Sequence, residues 1–219
     1  MSYRDSPMPS PSSATQFSIR PARQEDSSEV VRVIKAVYDE YGFTWDAEEY
    51  HADLYDLQGH YLDHGCPFFV AELEPGRLAG TAALELFPTI PGTPSTLTTQ
   101  ENRVRIAGTD CSMERLYVDP EIRRLGIGRA LAQELVKSGL EHERNLMEIW
   151  SDKRFVMAHS LYESMGAKVI GDRICHDPDQ SPEWGLSLVI SDLGSRIADL
   201  PECHAEGRRA FCVLMKRGP

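Results

Sequence analysis

The sequence predicts a mixed α/β fold with a central sheet that is partly antiparallel. Strand-length apolar runs alternate with two long amphipathic helical patterns, over residues 25–42 and 126–142. Two of the runs, 67–73 and 77–87, are separated only by Glu-Pro-Gly, which is typical of an antiparallel hairpin. Later in the chain the predicted order is β-α-β-α-β. Together these observations favour one layered α/β domain with strands running in both directions.

Composition narrows the function classes. The chain has 219 residues, a net charge of -11 and a pI of about 5.1. Such an acidic protein has no general electrostatic reason to bind nucleic acid or an anionic membrane, so neither partner is expected. No apolar run is long enough to cross a bilayer. A cationic substrate fits this charge better, although acidity also serves solubility alone.

Cysteine and histidine patterns indicate neither a disulfide framework nor a metal site. The five cysteines contain no CxxC pair, and no pair of histidines shares a predicted helix face. We therefore predict reduced thiols in a cytoplasmic protein. The thiols are Cys66, Cys111, Cys175, Cys203 and Cys212.

The N-terminal third begins with a Ser- and Pro-rich stretch, residues 1–16, which we predict to be a flexible tail. A short strand over 17–22 and the helix over 25–42 follow. Asp26 and Glu29 have the spacing of a capping box, and Gly42 is placed to end the helix. A second helical stretch is predicted over 46–55.

The middle of the chain is harder to interpret. After the hairpin strands, prolines and glycine interrupt the pattern between residues 88 and 110. This segment is predicted to be either a functional loop or a strand extension with a proline-rich tip.

The C-terminal half continues the α/β alternation. Its predicted elements are a strand at 112–118, the helix at 126–142, a strand at 145–151, a short helix at 158–166 and strands at 167–174 and 208–216. Residues 176–206 are read as a second insertion with a helix near 188–200. Residues 17–219 are thus predicted to form a single domain.

The stretch between the strand at 112–118 and the next helix, residues 123–129, carries chemistry; we call it the glycine loop. Gly126 and Gly128 leave the backbone bare where a helix begins and its first N–H groups lack partners. Arg123, Arg124 and Arg129 add positive charge. These features favour a phosphate or pyrophosphate site. The ending of a P-loop and the third glycine of a dinucleotide fingerprint are both missing, and an ordinary turn with solvent-facing arginines is the alternative.

Longer motifs strengthen the first interpretation. The stretch "YVDPEIRRLGIGRAL" resembles the acyl-CoA-binding motif R/Q-x-x-G-x-G/A of the GNAT superfamily, the Gcn5-related N-acetyltransferases, with Arg123, Gly126 and Gly128 at its fixed positions. The stretch "AHSLYESMGAKVI", residues 158–170, resembles the second family signature. Phe155 stands where family members often have Asn. The resemblance spans roughly residues 17–170.

This resemblance implies a GNAT fold, with a mixed sheet of six or seven strands, splayed between the fourth and fifth, and helices on both faces. It also implies acetyl transfer from acetyl-CoA to an amine within one ternary complex. A backbone N–H of Leu116 or Tyr117 would polarise the thioester carbonyl. The expected contacts to coenzyme A are Leu116, Tyr117, Val118, Arg123, Arg124, Leu125, Gly126, Ile127, Gly128 and Arg129.

Two catalytic groups are expected. Tyr162 matches the family tyrosine that gives a proton to the departing thiolate. Glu114 is the first candidate for the general base, because period-two alternation places it on one strand face with Leu116 and Val118. Glu85 and Asp152 are the second and third candidates. The alternative for Glu114 is a surface strand residue paired with Arg115 or another cation.

Other readings of the same motifs remain. The domain could bind acyl-CoA without catalysis, as a sensor or partner-binding module, or it could be an unrelated nucleotide-binding α/β domain. The aromatic residues Tyr38, Tyr41, Phe43 and Trp45 are placed either in core packing or in one wall of the acceptor pocket. The sequence leaves open whether the chain forms a homodimer.

Overall fold

The computed structural model describes residues 16–193, together with 204–205 and 208–209. The main strands are β1 (Ser18–Pro21), β2 (Phe68–Glu74), β3 (Arg77–Leu86), β4 (Leu97–Gln100), β5 (Arg103–Ile106), β6 (Cys111–Val118), β7 (Leu146–Asp152), β8 (Lys168–Ile174) and β9 (Pro182–Val189). The helices are α1 (Ser27–Tyr41), α2 (Leu57–His60), α3 (Ile127–Glu141) and α4 (Val156–Ser164). Within the described ranges, no helix is both long and apolar enough to span a bilayer. All but the last residue of the predicted N-terminal tail lies outside these ranges.

The central sheet confirms the predicted fold class. Its seven strands have the order β1-β2-β3-β6-β7-β9-β8. Strands β6 and β7, the fourth and fifth in that order, are parallel, and the other neighbours are antiparallel. The β6–β7 pairing extends only from Cys111–Met147 to Met113–Ile149. Beyond it the strands splay apart, and we call the opening between residues 114–118 and 150–152 the gap.

Helices cover both faces of the sheet because the strand residues alternate. In β2, Phe69 and Ala71 belong to the core under α3, whereas Phe68 and Val70 belong to the core under α1. Leu135 of α3 is fully buried, and burial of such a side chain contributes roughly 1.5–3 kcal/mol to folding. The two cores hold the edges of the gap in fixed positions.

The ends of helix α1 depart in one respect from the prediction. Gly42 ends the helix in a left-handed conformation with φ 68°, as expected. The capping box with Glu29 is wrong, because the Asp26 side chain accepts hydrogen bonds from Arg20 and from the Arg23 N–H. Glu29 instead pairs with Arg32.

The helix predicted over residues 46–55 is also wrong. That stretch forms turns and a three-residue 3₁₀ helix, Ala52–Leu54, before the single turn of α2. The Asp46 carboxylate accepts from the N–H groups of Glu48 and Glu49, which closes a local turn in place of a helix. Leu54 and Leu57 are buried, so the segment is fixed by tertiary packing.

Residues 88–110 contain an inserted hairpin, β4–β5, which packs against strands β7, β8 and β9 of the sheet. Its two-residue turn, Glu101-Asn102, has both φ angles positive, as a type I′ turn requires. The prolines occur in the approach to β4 and not at the tip, which corrects one of the two predictions. Arg105 Nε donates to the buried Glu148 of β7 over 2.6 Å, and this ion pair fixes the hairpin to the sheet.

The segment read as a second insertion supplies an inner strand of the sheet. Residues 182–189 form β9, between β7 and β8, so the helix predicted to begin near Leu188 is wrong at its start. The remainder of that helix lies outside the described residues. So does most of the predicted last strand, of which Arg208–Arg209 pairs with His204–Ala205. Gly185 in β9 is needed because a Cβ there would lie 2.5 Å from the Trp150 ring.

Candidate active site

The glycine loop presents free main-chain donors at the edge of the gap. Gly126 precedes α3 in a left-handed conformation, φ 82°, and no side chain caps the helix. The first N–H groups of α3 therefore have no partner within the helix. A Cβ on Gly128 would make only ordinary contacts, 3.4 Å from Val118 and 3.8 Å from Leu161. Packing therefore does not require glycine at position 128. Because Gly128 has no side chain, the start of α3 is open to a ligand.

The three arginines of the loop differ in their surroundings. Arg123 forms an ion pair with Glu40 of α1, with Nη1 2.8 Å from Oε1. Arg129 Nη2 donates to Ser164 Oγ of α4 over 2.8 Å. Arg124 is exposed and has a left-handed backbone, φ 67°. Arg123 and Arg129 thus connect the loop to two helices.

Strand β6 contains a bulge that the sequence argument missed. Thr81 of β3 pairs with Tyr117 and Ala83 pairs with Glu114, so two residues of β6 lie opposite one of β3. Arg115, within the bulge, has φ 52°. The extra residue shifts the alternation of the strand by one position.

The bulge changes the face on which the candidate base lies. Leu116 and Val118 pack against the core under α3, whereas the Glu114 carboxylate accepts from Ser112 Oγ on the opposite face. The prediction that these three residues share a face is therefore wrong. Glu114 is on the side of Tyr117, which packs against the core under α1.

The bulge also aims a main-chain donor into the gap. The Thr81 hydroxyl donates to the Arg115 carbonyl over 2.8 Å, so that carbonyl points towards β3. Because a trans peptide group is planar, the N–H of Leu116 in the same group points the opposite way, into the gap. The N–H of Tyr117 lies in the next peptide group and points towards β3. Of the two backbone N–H groups predicted to polarise the thioester carbonyl, the Leu116 N–H is thus the one that points into the gap.

Among the candidate bases, Glu114 has the environment that suits a proton acceptor. Burial raises its pKa to about 7, the nearby negative charge of Glu85 adds to the rise, and the hydrogen bond from Ser112 opposes it. Asp152 differs, because Arg154 donates to it through Nε over 2.9 Å and Nη2 over 2.8 Å. Burial alone would raise the pKa of Asp152, but these bonds outweigh it and hold that pKa below its usual value.

Tyr162 lies on α4 on the other side of the gap. The residue is only 4% exposed, and none of the described groups forms a hydrogen bond with its hydroxyl. Burial raises its pKa above the usual 10, and the neighbouring Tyr117 and Glu114 add to the rise. The phenol is therefore held in its protonated form and is available as a donor.

One cavity of about 1500 Å³ joins these groups. It is lined by Glu114, Glu85, Asp152, Tyr162, the strand residues 116–118 and all of the glycine loop except Leu125. Leu125 is instead 40% exposed at the surface. The structure therefore brings together every predicted site residue but one.

An aromatic cluster crosses the gap near α4. The Phe155 ring lies edge-on against Tyr41 at 4.9 Å and against Phe43 at 5.6 Å between centroids, with Tyr117 at 6.2 Å. Phe155 therefore packs in an aromatic wall at the position where an Asn was expected. Tyr38, Tyr41 and Phe43 also line the cavity, whereas Trp45 stacks on the buried His51.

Sequence reasoning missed several cavity residues that come from distant segments. Asp53 forms an ion pair with Arg115, with Oδ1 2.8 Å from Nη2, and Arg173 forms one with Glu183 over 2.8 Å. Cys175 also lines the cavity, and burial raises its pKa to about 11. No local motif marks these residues, because their positions depend on contacts between segments far apart in the chain.

Comparison with known proteins gives a family match. A model described as "Acetyltransferase (GNAT) family" matches residues 32–167. N-acetylaspartate synthetase from Homo sapiens is 26% identical over 122 residues, which are 55% of this chain and 34% of that protein. The chain thus spans about a third of the length of this relative.

Solved structures agree at the level of the fold. An acetyltransferase of the GNAT family from Staphylococcus aureus Mu50 has a TM-score of 0.60 and 17% identity, covering 80% of this chain and 99% of that chain. The protein yncA from Salmonella typhimurium, solved with its cofactor acetyl-CoA, has a TM-score of 0.57 and 17% identity, covering 80% and 94%. A ribosomal-protein-alanine N-acetyltransferase from Brucella melitensis has a TM-score of 0.55 and 20% identity, covering 78% and 98%.

The family match covers more than half of the chain and includes the glycine loop and Tyr162. The splayed sheet and the open start of α3 agree with it. The chain belongs to the GNAT family of acetyltransferases.

Proposed function

We propose that the protein transfers the acetyl group of acetyl-CoA directly to a primary amine of a small molecule or a protein. The observation that carries this proposal is the single cavity that joins the open start of α3, the gap, Glu114 and Tyr162. A binding site for the pyrophosphate, a hydrogen-bond donor for the leaving thiolate and a proton acceptor thus lie in one cavity. Acetyl-CoA would supply the activated acyl group there.

The cofactor would bind at the glycine loop and along β6. The pyrophosphate would accept hydrogen bonds from the first N–H groups of α3, where the helix dipole favours negative charge. The pantetheine arm would lie in the gap, where β6 has lost its β7 partner and its main-chain groups are free to pair. The arm would then place the thioester beside the Leu116 N–H.

The reaction would proceed by attack of the amine on the thioester carbonyl. Glu114 would accept the proton of the acceptor ammonium, directly or through water, since its pKa of about 7 leaves a substantial ionised fraction at neutral pH. The C–N bond forms, and the Leu116 N–H stabilises the oxyanion. The C–S bond then breaks, the amide nitrogen loses its second proton to water, and the thiolate receives a hydrogen bond or a proton from the Tyr162 hydroxyl, which water then reprotonates. Cys175 is kept as a neutral thiol by burial, which favours direct transfer over an acyl-cysteine intermediate.

The charges that line the cavity outside the glycine loop favour a cationic amine. The pairs Asp53–Arg115 and Glu183–Arg173 cancel within themselves. Asp152 is likewise paired with Arg154, so outside the glycine loop the remaining charged residues that line the cavity are Glu49, Glu85, Glu114, Asp177 and Arg103, together with three histidines. Acids therefore outnumber the permanent cations, so a polyamine, an aminoglycoside or a lysine side chain would be attracted more than an anion.

An acceptor screen tests this function. Release of the coenzyme A thiol would be followed with spermidine, an aminoglycoside, a lysine peptide and L-aspartate, the last because of the name of the human relative. We expect acetyl-CoA to raise the melting temperature and at least one cationic amine to release thiol. Stabilisation by acetyl-CoA without thiol release from any amine would instead support a non-catalytic acyl-CoA sensor. Stabilisation by ATP or NAD but not by coenzyme A would overturn both.

The buried, unpaired thiols Cys66, Cys111 and Cys175 fit a cytoplasmic location, which we include in the proposal. Fractionation of cells that express the tagged protein checks this location.

A further inference from the structure

Arg115 is anchored on both sides of its backbone. Its guanidinium forms two hydrogen bonds with Asp53, from Nε to Oδ2 over 3.0 Å and from Nη2 to Oδ1 over 2.8 Å. Nη2 also donates to the Tyr50 carbonyl over 2.9 Å. On the other side, the Arg115 carbonyl accepts from the Thr81 hydroxyl. The residue is therefore fixed between the segment after α1 and strand β3.

This anchoring coincides with an unfavourable backbone conformation. Arg115 has φ 52° within a strand, a region that residues with a Cβ rarely adopt and that must be enforced by their surroundings. The Arg115 and Asp53 side chains are 14% and 15% exposed, so water competes weakly for their ion pair. Asp53 in turn accepts from the Tyr61 hydroxyl, which holds the carboxylate in place.

The bulge that contains Arg115 has two consequences for the site. It aims the Leu116 N–H into the gap, and it places Glu114 on the face opposite to Leu116. A regular strand would lose both arrangements, because its alternation would be shifted by one residue. The position of the proposed oxyanion donor therefore depends on the backbone of Arg115.

We infer that Asp53 is a positioning residue for acetyl transfer, because its ion pair with Arg115 holds the bulge that aims the Leu116 N–H. This inference rests on the proposed function. Asp53 acts through Arg115 and β6 and need not touch either substrate. The expected signature is a loss of kcat without loss of acetyl-CoA affinity, since the glycine loop lies outside the bulge.

Two double variants separate the backbone effect from the loss of charge. Both carry Asp53→Asn, which avoids an unpaired buried carboxylate, combined with either Arg115→Gly or Arg115→Ala. Both lack the ion pair, but only glycine adopts a positive φ without a steric penalty. We expect kcat to be about tenfold higher with glycine than with alanine, with acetyl-CoA Kd values within about twofold of each other. Melting curves of the two variants give a temperature at which both are folded, and kcat and Kd are measured at that temperature.

A second readout does not require activity. The backbone amide resonance of Leu116 in labelled protein should shift on addition of coenzyme A in the wild type and the glycine variant, and should shift less in the alanine variant. An Asp53→Asn single variant with the kcat of the wild type, or equal kcat values and equal resonance shifts in the two double variants, would overturn the inference. Absence of acetyl transfer by the wild type would instead refute the proposed function, and the resonance shifts would then still report on the bulge.

Discussion

Ser112 Oγ donates to Glu114 Oε1 over 2.6 Å, so the candidate base is oriented by its neighbour two residues earlier in the strand. The bond stabilises the carboxylate, while burial and the charge of Glu85 act in the opposite direction. The balance leaves the pKa of Glu114 at about 7. A carboxylate with this pKa can accept a proton near neutral pH and release it again.

Replacement of the base should impair chemistry more than cofactor binding. We expect Glu114→Gln to lower kcat about 100-fold, because general-base assistance contributes at least this much. Isothermal titration should give an acetyl-CoA Kd close to that of the wild type. Glu143→Gln, at the turn after α3 and outside the cavity, serves as the matched control and should retain full activity. An active Glu114→Gln variant would transfer the role of base to Glu85 or to water.

The pH dependence of the rate should report the same carboxyl group. The raised pKa of Glu114 predicts that kcat in the wild type increases as the pH rises through about 7 and then levels off. In the Glu114→Gln variant this rise should be absent. A rise with the same midpoint in both proteins would assign the titration to another group, such as the acceptor amine.

The contribution of Glu114 to the stability of the folded protein should decrease as the pH rises, whereas kcat should increase. Folding raises the pKa of Glu114 from 4.5 to about 7, so the folded state binds the proton more tightly than the unfolded state. This contribution to stability is present below pH 4.5 and is lost as the pH rises through about 7. We therefore expect the melting temperature of Glu114→Gln, relative to the wild type, to increase between pH 5 and pH 8, by scanning calorimetry. A constant difference across this range would contradict the raised pKa.

Removal of the buried phenol tests the donor role. Tyr162→Phe should lower kcat about tenfold or more, because a positioned donor to the leaving thiolate is lost, while the acetyl-CoA Kd is retained. Burial is conserved by this change, so the melting temperature should vary little. Tyr55→Phe, at an exposed tyrosine outside the cavity, is the control. An unchanged kcat in Tyr162→Phe would show that the hydroxyl has no part in the reaction and that Tyr162 only packs in the core.

Gly128→Ala should affect folding and cofactor binding in opposite directions. The new Cβ meets Val118 at 3.4 Å, an ordinary contact, and alanine favours a helix over glycine by about 1 kcal/mol. The melting temperature should therefore stay the same or rise. The methyl group would obstruct the start of α3, so acetyl-CoA should bind more weakly by titration calorimetry. Unchanged affinity would place the pyrophosphate elsewhere.

The parts of the site that the sequence predicts well are local in the chain. The glycine loop, the strand before it and Tyr162 lie within two short motifs, and their bounds in the structure follow the predicted ones closely. Spacing along one strand–loop–helix unit is enough to define them.

The features that the prediction missed depend on tertiary contacts. Arg115 adopts its conformation because Asp53 and Thr81 hold it from distant segments. Strand β9 lies within the segment interpreted as an insertion, and its Gly185 leaves room for the Trp150 ring of the neighbouring strand. Neither requirement is visible within a sequence window.

The ion pair between Arg105 and Glu148 has a bearing on how this chain could be altered. Glu148 is 1% exposed and also accepts from the Ile106 N–H over 2.9 Å, so both of its carboxylate oxygens have partners in the hairpin. In a chimera in which residues 88–110 are exchanged for a shorter loop of a relative, the buried Glu148 carboxylate would lose both of these partners. Any such graft should carry a neutral side chain at position 148, so that no unpaired charge remains in the interior.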